Sequence, residues 1–254
     1  MNAGFGLIIT AGEVSDYALH RAMLAELPPP RIIYCADGGL RHMGLLGLEP
    51  DLILGDFDSA GSVLIDEYRN RGAPFEKHPA DKDYTDTELA VSRAVSGGIC
   101  RLLIFGALGA RIDHTYTNIQ LIFKYAKRGV RAVLADAYGI AAALVPGATL
   151  KIIKDKPLAS LLGLSDLLRY GPENAAAPPT ASGLVFMHPK LSLLPIGGAA
   201  RGVTVTGMKY ALTGSDLEAC YTSGVSNEFS GNAANAATVE IAEGALLVMV
   251  CADR

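Results

Sequence analysis

A chain of 254 residues with a net charge of −4 and a pI near 5.7 carries no basic footprint, which argues against a nucleic-acid partner. Half of its residues are hydrophobic, yet no apolar run approaches the roughly 20 residues that span a bilayer, so no membrane role is expected. The start lacks a basic, cleavable apolar leader, and the chain reads as cytoplasmic. Cys35, Cys100, Cys220 and Cys251 are widely separated and each sits in or beside an apolar segment. Buried thiols are the expectation, rather than disulfides or a zinc site, because metal-type spacing is absent.

Along the first 146 residues, short apolar runs alternate with helix-like segments. The runs Gly6–Thr10, Arg31–Ala36, Asp51–Leu54, Cys100–Phe105 and Val130–Ala135 are predicted strands. Candidate helices fall at 16–27, 39–47, 61–72, 86–96 and 114–128; Pro28–Pro30 stops the first, and Asp113 is placed to cap the last. Continuously apolar strands alternating with helices predict an α/β domain, a parallel sheet with helices on both faces, over 1–146. After Pro146 the texture changes. Leu150–Ile153, Leu184–Met187, Gly202–Val205, Thr238–Ile241 and Ala245–Val250 read as strands of an all-β sandwich domain over 147–254. An insertion around 155–182, with a short helix at Ser165–Arg169, interrupts it.

Chemistry concentrates at the ends of the predicted strands, the edge where open α/β sheets bind ligands. Cys35-Ala36-Asp37-Gly38-Gly39 offers glycines that let backbone N–H groups approach a phosphate. Gly55-Asp56-Phe57-Asp58-Ser59 presents two carboxylates two residues apart; if the extended backbone continues past Gly55, both point to one side. Such a pair suits a hard cation such as Mg²⁺. Asp81-Lys82-Asp83-Tyr84-Thr85-Asp86 adds carboxylates, a cation and a hydroxyl before a helix, and Gly106-Ala107-Leu108-Gly109-Ala110-Arg111-Ile112-Asp113-His114 adds glycines and a guanidinium fork. Singly, these segments also read as turns, caps and ordinary loops. Together they make a nucleotide-triphosphate site, although G-x-x-x-x-G-K-[ST] and G-x-G-x-x-G are both absent.

The ordered series A-D-G-G, P-D-x-x-x-G-D-F-D-S, D-K-D-x-T-D-x-E-L-A and G-A-x-G-x-R-x-D-H resembles the thiamin pyrophosphokinase family. The likeness continues through Leu191–Pro195, Gly202–Tyr210 and Val225–Glu228. The resemblance implies transfer of the β,γ-pyrophosphoryl group of ATP to thiamine, with release of AMP. It also implies a Rossmann-like N-terminal domain, a C-terminal β-sandwich, and a homodimer with thiamine held between subunits. By position it makes Asp56, Asp58 and Asp86 ligands of Mg²⁺, and gives Asp37 a supporting or proton-accepting role. Gly38, Gly39, Lys82, Thr85, Gly109 and Arg111 fall to the phosphates, with Asp113 orienting Arg111. Ser226 and Asn227 fall to thiamine. Animal members carry glutamine where Lys82 stands, and without any Trp, stacking on thiamine would have to come from Tyr or Phe. Tyr221 and Phe229 flank Ser226-Asn227 and read equally as core residues.

Three other readings share parts of this pattern. D-x-D after an apolar strand also marks aspartate-nucleophile phosphatases, which release phosphate rather than AMP. An enzyme pyrophosphorylating a pterin alcohol would have a similar ATP half. A non-catalytic sensor would bind thiamine or nucleotide without turnover.

Overall fold

The computed structural model describes residues 4–58, 61–81, 83–109, 111–153, 189–230 and 236–251. The first half runs β1 (Gly6–Ile9), α1 (Tyr17–Ala25), β2 (Ile32–Ala36), a 3-10 turn at Asp37–Gly39, α2 (Leu40–Leu46), β3 (Leu52–Gly55), α3 (Ser62–Asn70), β4 (Phe75–Lys77), α4 (Asp86–Ser96), β5 (Arg101–Phe105), α5 (Ile112–Ala126), β6 (Arg131–Ala135) and β7 (Gly139–Leu144). There follow β8 (Thr149–Ile153), β9 (Lys190–Pro195), β10 (Ala200–Thr206), β11 (Leu212–Leu217), β12 (Ala236–Glu240) and β13 (Leu246–Cys251).

All five strands expected in the first half form, and β4 and β7 join them. The large sheet has nine strands in the order β4-β3-β2-β1-β5-β6-β7-β13-β9. Its pairings from β4 through β6 are parallel, as expected, whereas β7, β13 and β9 pair antiparallel, so the sheet is mixed. The change of texture at Pro146 falls in the turn between β7 and β8, while the large sheet continues past it through β13 and β9. A second sheet has the order β11-β10-β12-β8. The chain is thus a mixed α/β sheet with helices, followed by a β-rich C-terminal part.

Alternation of side chains along the central strands explains why these are buried on both faces. Leu7, Ile9, Cys35, Ile53, Leu103 and Phe105 point to one face, where Met23, Met43, Ile65 and Tyr68 of α1, α2 and α3 cover them. Ile8, Leu54, Leu102, Ile104 and Leu134 point to the other, under Ala90 and Val91 of α4 and Leu121 and Ile122 of α5. Fully burying a side chain of this class contributes roughly 1.5–3 kcal/mol. The first apolar cluster continues along the sheet to Ile140, Ala142, Val248 and Leu193, which meet Ile152, Val203, Val205 and Val239 of the smaller sheet.

Several expectations need correcting. Only Cys35 is buried; Cys100, Cys220 and Cys251 are exposed, since they lie just before a strand, in a turn and at a strand's last residue. All four are free thiols, as expected, and burial pushes the Cys35 thiol well up. Asp113 does not cap α5: the cap position is Arg111, and Asp113 lies in the first turn, where its charge complements the helix dipole. The expected strand at Leu184–Met187, the helix at Ser165–Arg169 and the insertion at 155–182 lie outside the described residues. Among the described residues, no helix is long and apolar enough to cross a membrane.

Candidate active site

Four non-glycine residues among those described have positive φ, and three of them are at or beside predicted site positions: Asp37 (+37°), Phe57 (+68°) and Ser226 (+60°). Non-glycine residues held in this region cost about 1–3 kcal/mol each and concentrate at functional sites. Asp37 is buried in the 3-10 turn that ends β2. Asp56 follows β3 directly, and Asp86 is the first residue of α4. One carboxylate oxygen from each of Asp37, Asp56 and Asp86 comes within 4.8 Å of the others. At that spacing like charges repel by roughly 3–4 kcal/mol per pair at a near-surface effective dielectric. A hard divalent cation relieves this directly, and an all-carboxylate donor set fits Mg²⁺.

The backbone does not stay extended past Gly55. Phe57 turns through the left-handed region, the Asp58 N–H donates to Asp56 Oδ1 at 3.1 Å, and the Asp58 side chain is exposed outside the trio. Asp37, given a supporting or proton-accepting role by the resemblance, takes the place in the cluster that the alternation argument gave to Asp58.

A cleft of about 660 Å³ opens over this edge of the sheet. Asp37, Gly38, Thr85, Asp86, Gly109 and Arg111 line it, as the sequence reading grouped them. Thr85 is the N-cap of α4, its Oγ1 accepting the Glu88 N–H at 3.2 Å. Thr85→Ala is therefore expected to lower stability by about 1 kcal/mol and Thr85→Ser to restore most of it, both read by urea unfolding. An unchanged midpoint for Thr85→Ala would show that the cap contributes nothing. Arg111 is exposed and bonded through two nitrogens to Asp113, at 2.5 and 3.2 Å. The guanidinium holds the Asp113 carboxyl down to about 2, so the pair stays charged across the physiological range. Asp113 itself touches Arg111 rather than lining the cleft.

Gly39 and Gly106 serve close packing of backbone on backbone. A Cβ on Gly39 would lie 2.5 Å from the Ile9 oxygen, and one on Gly106 (φ +68°) 2.4 Å from the Thr10 oxygen. Lys82 lies outside the described residues. Ser226 and Asn227 do not line the cleft. Asn227 is buried and accepts the Tyr210 and Glu228 N–H groups at Oδ1 while donating to the Tyr210 carbonyl, which pins the loop after β10. Phe229 packs on the core, and Tyr221 is exposed.

The remaining wall of the cleft was not anticipated. Thr10, Gly12, Tyr17, Arg41, His42 and Asn118 face it. Thr10 Oγ1 donates to the Gly106 oxygen at 2.5 Å, and Asn118 Nδ2 to the Ala107 oxygen at 2.8 Å, so the loops after β1 and β5 are tied to each other and to α5. The readable signal was a glycine just past an apolar strand, Thr10-Ala11-Gly12, the same cue that marked Gly38 and Gly106.

Residues 27–134 match the family model "Thiamin pyrophosphokinase, catalytic domain", and residues 179–246 match "Thiamin pyrophosphokinase, vitamin B1 binding domain". The chain belongs to the thiamin pyrophosphokinase family. A thiamine pyrophosphokinase of Bacillus subtilis (strain 168) is 28% identical over 207 residues, 82% of this chain and 81% of that protein. Thiamine pyrophosphokinase 1 of Oryza sativa subsp. japonica is 33% identical over 125 residues, 41% of this chain and about half (47%) of that protein's length. The crystal structure of thiamine pyrophosphokinase from Bacillus subtilis has the same fold, with a TM-score of 0.75 at 22% identity over 98% of this chain and all of that one (100%). Within this family match, the catalytic stretch holds the carboxylate trio and Arg111, and the vitamin B1 stretch holds Ser226 and Asn227; the Thr10–Val14 wall precedes both.

Proposed function

We propose that this chain is a thiamine diphosphokinase, moving the β,γ-pyrophosphoryl group of ATP to the hydroxyethyl oxygen of thiamine and releasing AMP. The observation that carries the reading is a cluster of three carboxylates, two of which (Asp37 and Asp86) line one cleft together with a carboxylate-paired arginine, in a chain of this family. In the transfer a bond forms between the thiamine oxygen and the β-phosphorus, and the bond from that phosphorus to the α,β-bridging oxygen breaks. The hydroxyl gives up its proton to a carboxylate of the trio.

Asp37, Asp56 and Asp86 would hold Mg²⁺, and Asp58, two residues past Asp56, would join them as a ligand. Bound there, the ion would neutralise the polyphosphate and withdraw charge from its oxygens. Arg111, oriented by Asp113, neutralises charge growing on the leaving group, and Lys82 and Thr85 contact the phosphates. Gly38 and Gly109, which line the cleft, let the backbone approach them. The C-terminal part is a β-sandwich that carries thiamine near Ser226 and Asn227, and two copies of the chain complete that pocket. An edge rich in carboxylates also favours the cationic thiazolium, modestly at physiological salt.

Incubated with Mg²⁺, ATP and thiamine, the purified protein is expected to yield AMP and thiamine diphosphate in equal amounts, separated by chromatography. ATP consumption without thiamine diphosphate would point to another alcohol acceptor or to hydrolysis. Light scattering at twice the chain mass would support the shared thiamine pocket, and a monomer would count against it.

A further inference from the structure

The cleft lies where the strand order reverses between β1 and β5, so its two walls there are the loops that follow those strands. The loop after β5 is held by α5. The loop after β1, Thr10–Val14, is held by the Gly12 N–H bond to the Gly106 oxygen (2.7 Å) and by contacts from α2. His42, buried on α2, sits 2.8 Å from the Tyr17 hydroxyl at Nδ1 and 2.9 Å from the Gly12 oxygen at Nε2. One tautomer satisfies both: Nε2–H donates to the Gly12 carbonyl, and Nδ1 accepts from the Tyr17 O–H; it is chosen over the tautomer in which Nε2 would accept from Arg41 Nε, which stands farther off at 3.2 Å. Burial, with Arg41 and His20 nearby, pulls the His42 pKa down and keeps the ring neutral. The neighbouring Arg41 adds donation from Nη2 to the Ala11 oxygen and reaches within 3.4 Å of the Gly12 oxygen.

We propose that His42 is a positioning residue that fixes the Thr10–Val14 wall for nucleotide binding, through the bridge from Tyr17 to Gly12. The role rests on reading this cleft as the ATP site. His42 and Tyr17 line the cleft, but both ring nitrogens of His42 are committed to protein groups, so it acts through Gly12. A wall fixed before nucleotide arrives is felt equally in the ground and transition states, so its loss raises KM more than it lowers kcat.

The test uses the full chain with His42→Leu, His42→Gln and Tyr17→Phe. Hydrogen exchange should speed up at the Gly12 amide by about tenfold or more in His42→Leu, with the amides of β5 unchanged. KM for Mg²⁺-ATP should rise about tenfold while kcat falls less than threefold, and His42→Gln, which keeps an N–H for the Gly12 carbonyl, should recover most of both. Tyr17→Phe should give a smaller change in the same direction. Unchanged exchange at Gly12 in His42→Leu would overturn the proposal, as would an equal fall in kcat and kcat/KM. Absence of turnover in the unmodified protein would instead overturn the ATP reading, and the exchange result would still decide what His42 holds.

Discussion

Asp56→Asn is expected to lower turnover at saturating substrates by about 10³-fold while leaving the fold intact or slightly more stable. Asparagine keeps the Oδ1 that accepts the Asp58 N–H, so the turn after β3 survives the change. What is lost is one of three negative charges packed within 4.8 Å of one another. Without a cation that packing is unfavourable, so removing a charge relieves repulsion in the metal-free protein. With a cation the same charge is an attraction, and its loss weakens binding. The two effects have opposite signs, which separates a ligand from a structural carboxylate. The unmodified protein should gain thermal stability when Mg²⁺ is added, and the Asn variant should gain much less. Asp86→Asn should behave alike, although its place in the first turn of α4 means it also loses a favourable helix-dipole interaction of about 0.3–1 kcal/mol. Thermal melts with and without Mg²⁺, beside a product assay, read both effects. An Asp56→Asn protein with normal turnover, or with an undiminished Mg²⁺ shift, would remove Asp56 from the metal site.

Much of this arrangement was legible because apolar strands buried on two faces leave an unbroken hydrophobic run. Gly6–Ile9, Leu52–Gly55 and Arg101–Phe105 are of that kind, and chemistry placed just past their ends needs no long-range information. The elements that escaped lack the run. Phe75–Lys77 is a three-residue edge strand with two charged residues, so its side chains announce solvent. Gly139–Leu144 is half alanine, which prefers helix; the strand is imposed by pairing with β6 on one side and β13 on the other. Leu212–Leu217 carries Thr, Gly, Ser and Asp and, among the described residues, pairs with β10 alone. At the site, the grouping of Asp37 and Arg111 followed from their loops after predicted strands, and that of Thr85 and Asp86 from their place at the start of a predicted helix. The standing of Asp58 did not, because it depends on the left-handed turn at Phe57, which the D-x-D spacing does not encode. The Thr10–Val14 wall contributes backbone carbonyls, a glycine and a single carboxylate, Glu13, with no second charged residue in the segment to mark it as a site.

Gly55→Ala is expected to destabilise the fold by about 2–4 kcal/mol and to lower the turnover of the folded fraction about 100-fold, although alanine brings no charge and removes no ligand. Gly55 is the buried last residue of β3 at φ +151°, a conformation that side chains rarely adopt. A Cβ there would stand 2.7 Å from the Cβ of Asp37 and 3.2 Å from its Cα. Neither neighbour gives way easily. Gly55 is tied to the sheet through its register with Lys77 and its carbonyl's bond from the His78 N–H at 2.9 Å. Asp37 is itself at positive φ in a turn whose glycine lies against the Ile9 backbone. The added methyl must therefore part the end of β3, which carries Asp56, from the end of β2, which carries Asp37. A displacement on the order of 1 Å between two ligands of one ion is enough for the loss in rate. Gly72→Ala provides the contrast. It too has positive φ (+80°), but nothing lies within 4 Å of its added Cβ and it does not line the cleft. It should cost about 1 kcal/mol of stability from backbone strain, with turnover retained. Urea unfolding of both variants, with activity expressed per folded molecule, makes the comparison. Equal behaviour of the two would mean that backbone conformation alone matters at Gly55, and that the contact with Asp37 does not set the spacing of the carboxylates.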